Sequence, residues 1–160
     1  MAVVAKIMDS DVIVLGKQAT IAEAAAMMAK KPHGCAIIAE NRRPVGILTS
    51  SDIINSLLKK SGSRKAAGIM SSPVVTLSLD TKLEKADKII ETKHFRRYPV
   101  VDREGNIVGI VTENDVVQAI NDNISFHRNL QNAVLVIFVL FEFFVFFIYK
   151  YASGMLGFLG

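Results

Sequence analysis

The sequence predicts an α/β fold of the α+β kind, in which two repeats pack as a pseudo-twofold pair and an apolar helix follows them. The first observation is a signature, GILTSSD at Gly46–Asp52, that returns as GIVTEND at Gly109–Asp115, 63 positions later. The second is that each copy ends a matching segment, since Ile7-Met8 returns as Ile69-Met70. Two long copies are typical of a paired domain rather than of a solenoid. Each repeat is therefore expected to read strand, helix, strand, strand, helix.

The first repeat shows this order in its apolar spacing. Thr20 followed by Glu23 has the pattern of a capping box, and an apolar stripe at helical spacing begins at Ile21. Ser51 or Asp52 is expected to open the last helix. The predicted elements are a strand at 12–15, a helix from 21, strands at 35–39 and 45–48 joined by a hairpin loop at 40–44, and a helix to about 58.

The second repeat has the same elements. Thr81 or Asp80 is expected to start its first helix, and Asn114 or Asp115 its last, which would run to about Ile120. The other predicted elements are a strand at 74–77, an apolar helical stripe at 83–90, and strands at 98–101 and 107–111 joined by a polar loop at 102–106.

Composition limits the possible functions. Cys35 is the single cysteine, so neither an internal disulfide nor a Cys/His metal site is predicted. No catalytic triad, Gly-rich phosphate loop with Lys, or carboxylate metal cluster is evident, so we expect neither an enzyme nor a resident cofactor. The net charge of +4 is modest. A small basic cluster at Lys59, Lys60, Arg64 and Lys65 is more typical of a solvated linker than of nucleic-acid binding.

The paired Gly-apolar-apolar-Thr-x-x-Asp signatures resemble those of a tandem pair of CBS domains, the Bateman module, over about Val4 to Ile120. The segment Arg96–Asp102 is similar to a basic-apolar-Pro-Val-apolar-Asp stretch common in that family. The resemblance implies the paired fold stated above. It also implies an adenosine-containing ligand, such as AMP, ATP or S-adenosylmethionine, in the cleft between the repeats.

The ligand-binding residues that the resemblance implies centre on the two signatures. A carboxylate can accept hydrogen bonds from ribose hydroxyls, while a hydroxyl and a helix N-terminus suit a phosphate. The same residue types also cap helices without any ligand, and this alternative stays open. The implied set is Thr49, Asp52, Thr112 and Asp115, with Ile47, Ile110, Arg96, Arg97 and Pro99.

The resemblance also implies that each pocket takes basic residues from the opposite repeat. Arg96 and Arg97 would then serve the pocket of Thr49 and Asp52. The pocket of Thr112 and Asp115 would meet only the uncharged Gly34 and Cys35. His33 nearby is more typical of a loop histidine than of a phosphate contact. The first pocket is therefore predicted to prefer a phosphorylated ligand, and the second to be empty, weaker or suited to an unphosphorylated adenosine.

The C-terminal part is apolar on every side of a helix. Fourteen of the 17 residues from Ala133 to Tyr149 are Leu, Ile, Val or Phe, and Glu142 is the only charge. The fourteen apolar side chains together contribute roughly −4 to −8 kcal/mol to the free energy of membrane insertion, whereas an acid at the helix centre costs about 3 kcal/mol. Insertion is therefore favourable, and a single-pass anchor is predicted. His127 and Arg128 favour the repeats on the cytoplasmic side. A buried or oligomer-forming helix is the alternative, and Glu142 suggests a membrane protein partner.

The predicted organisation has six segments: repeat 1 at 1–60, a linker at 61–66, repeat 2 at 67–122, a connector at 123–132, a transmembrane helix at 133–151 and an apolar tail at 152–160. The predicted function is a membrane-tethered regulatory module that senses an adenine nucleotide. A homodimer through the paired repeats is also expected. The alternative is an assembly protein whose repeats only dimerise and whose tail docks on a partner.

Overall fold

The computed structural model describes residues 2–31, 33–59 and 63–156. It forms two compact units, 1–119 and 120–160. Lys60 of the basic cluster, residues 61–62 of the predicted linker and residues 157–160 of the predicted tail lie outside the described residues.

The first repeat has the predicted order of elements. Its strands β1 (Val14–Gly16), β2 (Cys35–Glu40) and β3 (Arg43–Thr49) form one sheet in that order, with β1 parallel to β2 and β2 antiparallel to β3. The first strand begins two residues later and ends one residue later than predicted, because only Val14–Gly16 lies opposite β2. The elements are β1 (Val14–Gly16), α1 (Ile21–Met28), β2 (Cys35–Glu40), β3 (Arg43–Thr49) and α2 (Ser50–Leu58).

The second repeat has the same topology, with a sheet of order β4-β5-β6. The strand predicted at 74–77 is again displaced, since only Leu77 and Ser78 pair with β5. The elements are β4 (Leu77–Ser78), α3 (Leu83–Lys93), β5 (Arg97–Val101), β6 (Ile107–Thr112) and α4 (Glu113–Leu156). The two-repeat prediction is confirmed.

The two hairpin turns differ in length. In the first repeat Asn41 and Arg42 both have positive φ, 49° and 65°, and Glu40 already pairs with Arg43. This two-residue turn is shorter than the predicted loop at 40–44, because Pro44 takes a place in β3. The second loop lies at 102–106 as predicted. There the Asp102 carboxylate accepts hydrogen bonds from the backbone of Glu104 and Asn106.

Side chains cap the starts of α1 and α2 as predicted, but α2 and α4 begin at other residues than expected. The Thr20–Glu23 capping box of α1 is confirmed. Helix α2 is capped by Thr49 rather than by Ser51 or Asp52, because Asp52 supplies the third-position carboxylate of a second capping box. Helix α4 likewise begins at Glu113, ahead of Asn114 and Asp115.

The start of α3 has a different kind of cap. Its N-cap is Lys82, not Thr81 or Asp80, and no side chain caps the helix. The backbone N–H of Leu83 instead donates to the carbonyl of Ala2, at 3.2 Å. The N-terminal segment of the chain therefore supplies a bond that a side chain usually makes.

The segment before each repeat pairs with the other repeat. Asp9 and Ile110 exchange two backbone hydrogen bonds of 2.9 Å, and Ser71 and Ile47 exchange two of 2.9 and 3.1 Å. Val4 is fully buried in this arrangement, as is its counterpart Ala66, which lies in the core of the first repeat. Residues 2–9 thus complete the second repeat, and residues 64–71 complete the first.

This exchange explains the glycine of each repeated signature. A Cβ on Gly109 would lie 2.7 Å from the carbonyl oxygen of Asp9 and 2.9 Å from the Met8 sulfur. A Cβ on Gly46 would lie 2.3 Å from the sulfur of Met70, the counterpart of Met8. The exchanged segment crosses the strand at both points, and the approach is strictest at Gly109, where it involves the backbone of Asp9 rather than only a flexible side chain.

Helix α4 does not end near Ile120 as predicted but continues to Leu156, so the segment expected as a connector, 123–132, is helical. The part at Glu113–Lys150 is long and apolar enough to cross a membrane, by length and composition alone. Its apolar side chains from Val134 to Tyr149 are exposed.

The crossing at Gly109 predicts a position-specific effect on stability. Gly109→Ala should lower the free energy of unfolding by about 2 kcal/mol, because the backbone of Asp9 must move to admit the methyl group. Gly16→Ala is the matched control, since nothing lies within 4 Å of a Cβ at Gly16. Urea unfolding of the full chain in detergent measures both. Equal stabilities of the two variants would contradict the proposed close approach.

Candidate functional site

The two helix entrances that end the repeats carry the same hydrogen-bonded pair. Asp115 Oδ2 accepts hydrogen bonds from the Thr112 backbone N–H at 2.8 Å and from its Oγ1 at 2.7 Å. Thr112 Oγ1 in turn accepts from the Asp115 backbone N–H at 3.2 Å. Thr49 and Asp52 repeat these contacts at 2.8, 2.7 and 3.3 Å. The repeated signature therefore has one local structure in both copies.

This geometry also satisfies the needs of a helix cap. Thr20 and Glu23 form the same reciprocal bonds at α1, where the hydrogen bonds from Thr20 lower the pKa of the Glu23 carboxyl. As at Glu23, where both bonds from Thr20 go to Oε2, one carboxylate oxygen of each signature Asp holds the cap and the other is spare. Within the described ranges, Oδ1 of Asp52 and of Asp115 accepts no hydrogen bond from the protein, so it is open to a hydroxyl group.

An open cavity of about 640 Å³ lies at the entrance of α4. Its size is within the range of about 300 to 1,000 Å³ that is usual for small-molecule sites. It combines two guanidinium groups with the spare carboxylate of Asp115. The lining residues are His33, Arg96, Arg97, Thr112, Glu113, Asn114 and Asp115.

The position of the arginines follows from sheet topology. Arg97 begins β5 and pairs with Thr112, the last residue of the antiparallel β6. Arg96 precedes the strand, and its carbonyl accepts a hydrogen bond from the Glu113 backbone N–H at 3.1 Å. Both arginines therefore lie at the same sheet edge as the N-terminus of α4, and both line the cavity although they are adjacent in the chain.

This arrangement differs from the grouping that the sequence predicted. Arg96 and Arg97 were expected beside Thr49 and Asp52, and the Thr112–Asp115 pocket was expected to lack charge. The structure instead places both arginines in the cavity of Thr112 and Asp115. Antiparallel pairing explains this position, because it brings the start of β5 and the end of β6 to the same sheet edge.

His33 is the contribution of the first repeat to this cavity. Its Nε2 lies 2.7 Å from Asp9 Oδ2, and its side chain is 20% exposed. This hydrogen bond is the main reason why the pKa of the Asp9 carboxyl lies below its ordinary value. The loop histidine thus has a structural partner and also faces the cavity.

A narrow apolar slot adjoins the cavity and shares His33 with it. The slot has room for only about 10 Å³. Buried Cys35 and Ile110 are among its walls, and burial raises the pKa of the Cys35 thiol, against the opposing effect of the charge on Arg97. The lining residues are Asp11, Val12, Ile13, Lys31, His33, Cys35, Ile37 and Ile110.

The remaining predicted site residues have other surroundings. Ile110 lines the slot, as stated, while Pro99 is its buried partner across β5 and β6. Ile47 pairs with Ser71 through its backbone. Sequence reasoning missed Val12, Ile13 and Ile37, which were recognised as strand residues but not as slot walls. Among the described residues, no group of three or more His, Cys, Asp or Glu could hold a metal ion.

A protein-family comparison matches the CBS domain twice, at residues 4–59 and 66–122. A Methanopyrus kandleri protein of uncharacterised function is 34% identical over 112 residues, which are 68% of this chain and 57% of that protein. A homoserine O-acetyltransferase of Methanohalobium evestigatum is 32% identical over 120 residues, 74% of this chain but 24% of the enzyme. The chain thus spans about half or less of these relatives.

Solved structures show the same fold. The CBS domain pair of protein MJ0100, in complex with 5′-methylthioadenosine and S-adenosyl-L-methionine, has a TM-score of 0.68 and 26% identity, with 77% of this chain and 98% of that chain covered. The AMP complex of CBSX2 has a TM-score of 0.64 and 24% identity, covering 76% and 98%. The ATP complex of the cytosolic domain of the Mg²⁺ channel MgtE has 0.64 and 24%, covering 73% and 48%.

The Asp9–His33 contact predicts an acid-side effect on stability. Because the folded-state pKa of Asp9 lies below its ordinary value of 3.8, Asp9 adds stability that is fully present above that value. This contribution is lost as the pH falls through the folded-state pKa. Asp9→Asn should therefore flatten the pH dependence of urea unfolding below about pH 4. Identical slopes in wild type and variant would contradict this role for Asp9.

Proposed function

The chain belongs to the CBS domain family, and from this membership we propose that its paired repeats form a regulatory module that senses an adenosine-containing nucleotide of the AMP or ATP type. The neighbours of known structure include complexes with AMP, ATP and S-adenosyl-L-methionine. CBS domains are generally regulatory rather than catalytic. The match to an acetyltransferase covers only 24% of that enzyme, so a regulatory role is the one assigned here.

The cavity at the start of α4 is the observation that carries this proposal. Arg96 and Arg97 suit the oxygens of a phosphate, with which guanidinium groups form bidentate hydrogen bonds. The spare Oδ1 of Asp115 suits a ribose hydroxyl. The N-terminus of α4 adds a favourable dipole for an anion. The two guanidinium groups give a phosphate direct partners that S-adenosylmethionine, which has no phosphate, cannot use, while Glu113 and Asp115 balance their charge.

Ligand sensing requires two states that differ in affinity. A nucleotide can shift the equilibrium between two arrangements of the repeats only as far as its binding free energies for the two arrangements differ. The exchanged segments give such a link, because Asp9 pairs with β6 and also contacts His33 at the cavity. Occupation of the cavity would thereby act on the contact between the repeats.

We also propose that the apolar part of α4 tethers the module to a membrane, with the repeats on the cytoplasmic side. The observation in support is a continuous helix whose 18-residue apolar window has a mean hydropathy of 2.4 and is not buried. Glu142 lies within this exposed apolar helix. A lone acid inside a bilayer usually faces a polar partner, so a membrane protein is the proposed target of regulation.

A second candidate function is assembly without ligand sensing. Exposed apolar side chains on α2, at Ile54, Leu57 and Leu58, have helical spacing and form one face of the helix. Such a face suits a homodimer of the paired repeats. In this case the cavity would remain empty in the cell, and nucleotide titration separates the two functions.

The arrangement of charges predicts which substitutions abolish nucleotide binding. In calorimetric titrations of the full chain in detergent, Asp115→Ala should weaken AMP binding by at least about tenfold, and Arg97→Ala by a similar factor. Asp52→Ala is the matched control, since it removes the equivalent cap of α2 and Asp52 is not among the residues that line the cavity at α4. Arg103→Ala controls for net charge, because Arg103 is exposed and pairs with Asp80.

The ligand series adds a second criterion to this experiment. The effect of Arg97→Ala should appear with AMP and ATP and should largely vanish with adenosine, which carries no phosphate. If Asp52→Ala abolishes binding while Asp115→Ala leaves it intact, the assignment to the α4 cavity is wrong. If no nucleotide binds to the wild type, the assembly function takes precedence.

The membrane tether predicts resistance to extraction. Full-length protein mixed with phosphatidylcholine vesicles should stay with the vesicles after an alkaline wash. Leu140→Arg should release it, because an arginine at the helix centre costs about 3 kcal/mol in addition to the cost of Glu142. Leu58→Arg, at an exposed leucine of α2, is the matched control and should stay bound. Release of the wild type would contradict the tether.

A further inference from the structure

A hydrogen-bonded pair and an ion pair lie beside the apolar slot that adjoins the cavity. Asp9 contacts His33 at 2.7 Å, and Asp11 forms an ion pair with Lys31. The two acids belong to the segment before β1, and the two basic residues belong to the segment between α1 and β2. Asp11, Lys31 and His33 all line the slot, so the pairs join its two sides.

The slot is too small for a ligand in this state. Its volume of about 10 Å³ is close to that of a single water probe, whereas the adjoining cavity has about 640 Å³. Its walls otherwise suit a flat apolar group, because they include Val12, Ile13, Ile37 and Ile110. His33 lines both spaces and so separates the open polar part from the closed apolar part.

Asp9 is held in place on three sides. Its Oδ2 contacts His33, its Oδ1 accepts a hydrogen bond from the Asp11 backbone N–H at 2.7 Å, and its own backbone pairs with Ile110 of β6. A movement of His33 away from Asp9 therefore removes one of the three contacts of a residue that also pairs with the second repeat.

We infer that the Asp9–His33 and Asp11–Lys31 pairs form a gate that closes the apolar slot, and that the base of a bound nucleotide enters only when this gate opens. The inference rests on the proposed nucleotide function for the identity of the ligand. The gate itself is a property of the protein alone. Opening it removes a side-chain contact of Asp9, whose backbone pairs with Ile110 of β6, so ligand entry acts next to the contact between the repeats.

Cys35 is a built-in probe of this gate. It is the single cysteine of the chain, it is 4% exposed, and it lines the slot. Its modification by the neutral reagent N-ethylmaleimide, followed by mass spectrometry on the full chain in detergent, reports opening without any nucleotide. The variants Asp9→Asn and His33→Ala remove the gate contact in two different ways. Asparagine keeps the acceptor for the Asp11 N–H.

The matched control is Glu40→Gln, which removes the exposed ion pair between Lys17 and Glu40 at the far end of β2. Asp9→Asn and His33→Ala should speed the labelling of Cys35 by about tenfold, and Glu40→Gln should leave it unchanged. Wild-type rates in both gate variants would overturn the gate.

Global unfolding is separated from gate opening with low concentrations of urea. Labelling through a local opening stays nearly constant as urea is added, whereas labelling through global unfolding rises as steeply as the unfolding constant itself. A steep rise in the gate variants would therefore also overturn the inference. Saturating AMP should slow labelling of the wild type. If AMP has no effect while the gate variants still label faster, the gate stands and the nucleotide function fails.

Discussion

The reciprocal exchange of the segments before each repeat is the constraint on which the structure depends. The segment before the first repeat adds to the sheet of the second, where Asp9 pairs with Ile110. The segment before the second repeat adds to the sheet of the first, where Ser71 pairs with Ile47. A three-stranded sheet with a single covering helix layer has little apolar surface to bury, and the exchanged Val4 and Ala66 fill that deficit. Because each repeat holds the other's segment, the pair behaves as one compact unit.

The exchange also determines the site. The segment that contains Asp9 places its carboxylate against His33, so one side of the cavity is built from a residue of the first repeat. The other side follows from antiparallel pairing, which brings the start of β5 and the end of β6 to one sheet edge. Two arginines and two carboxylates, Glu113 and Asp115, therefore meet where α4 begins, and the helix dipole there has the same sign as the arginines. A ligand with phosphate and hydroxyl groups matches this combination.

Helix α4 has a polar first turn and an exposed apolar later part. Its first turn contains Asp115, which is bonded to Thr112, and its later part carries exposed Leu, Val, Ile and Phe side chains up to Tyr149.

The sequence by itself determined the repeat, the order of the elements and the local caps, because these depend on periodicity and on contacts between residues three or four positions apart. The Thr20–Glu23 box and the loop at 102–106 could be identified in this way. Helix length could not, since nothing local at Ile120 stops α4. Only the tertiary structure decided which groups share a cavity. Arg97 lies next to Thr112 because of strand register, and Val12 and Ile37 meet Ile110 because two repeats exchange their segments. Such contacts join residues that are far apart in the chain, and the local sequence around either residue does not identify the other.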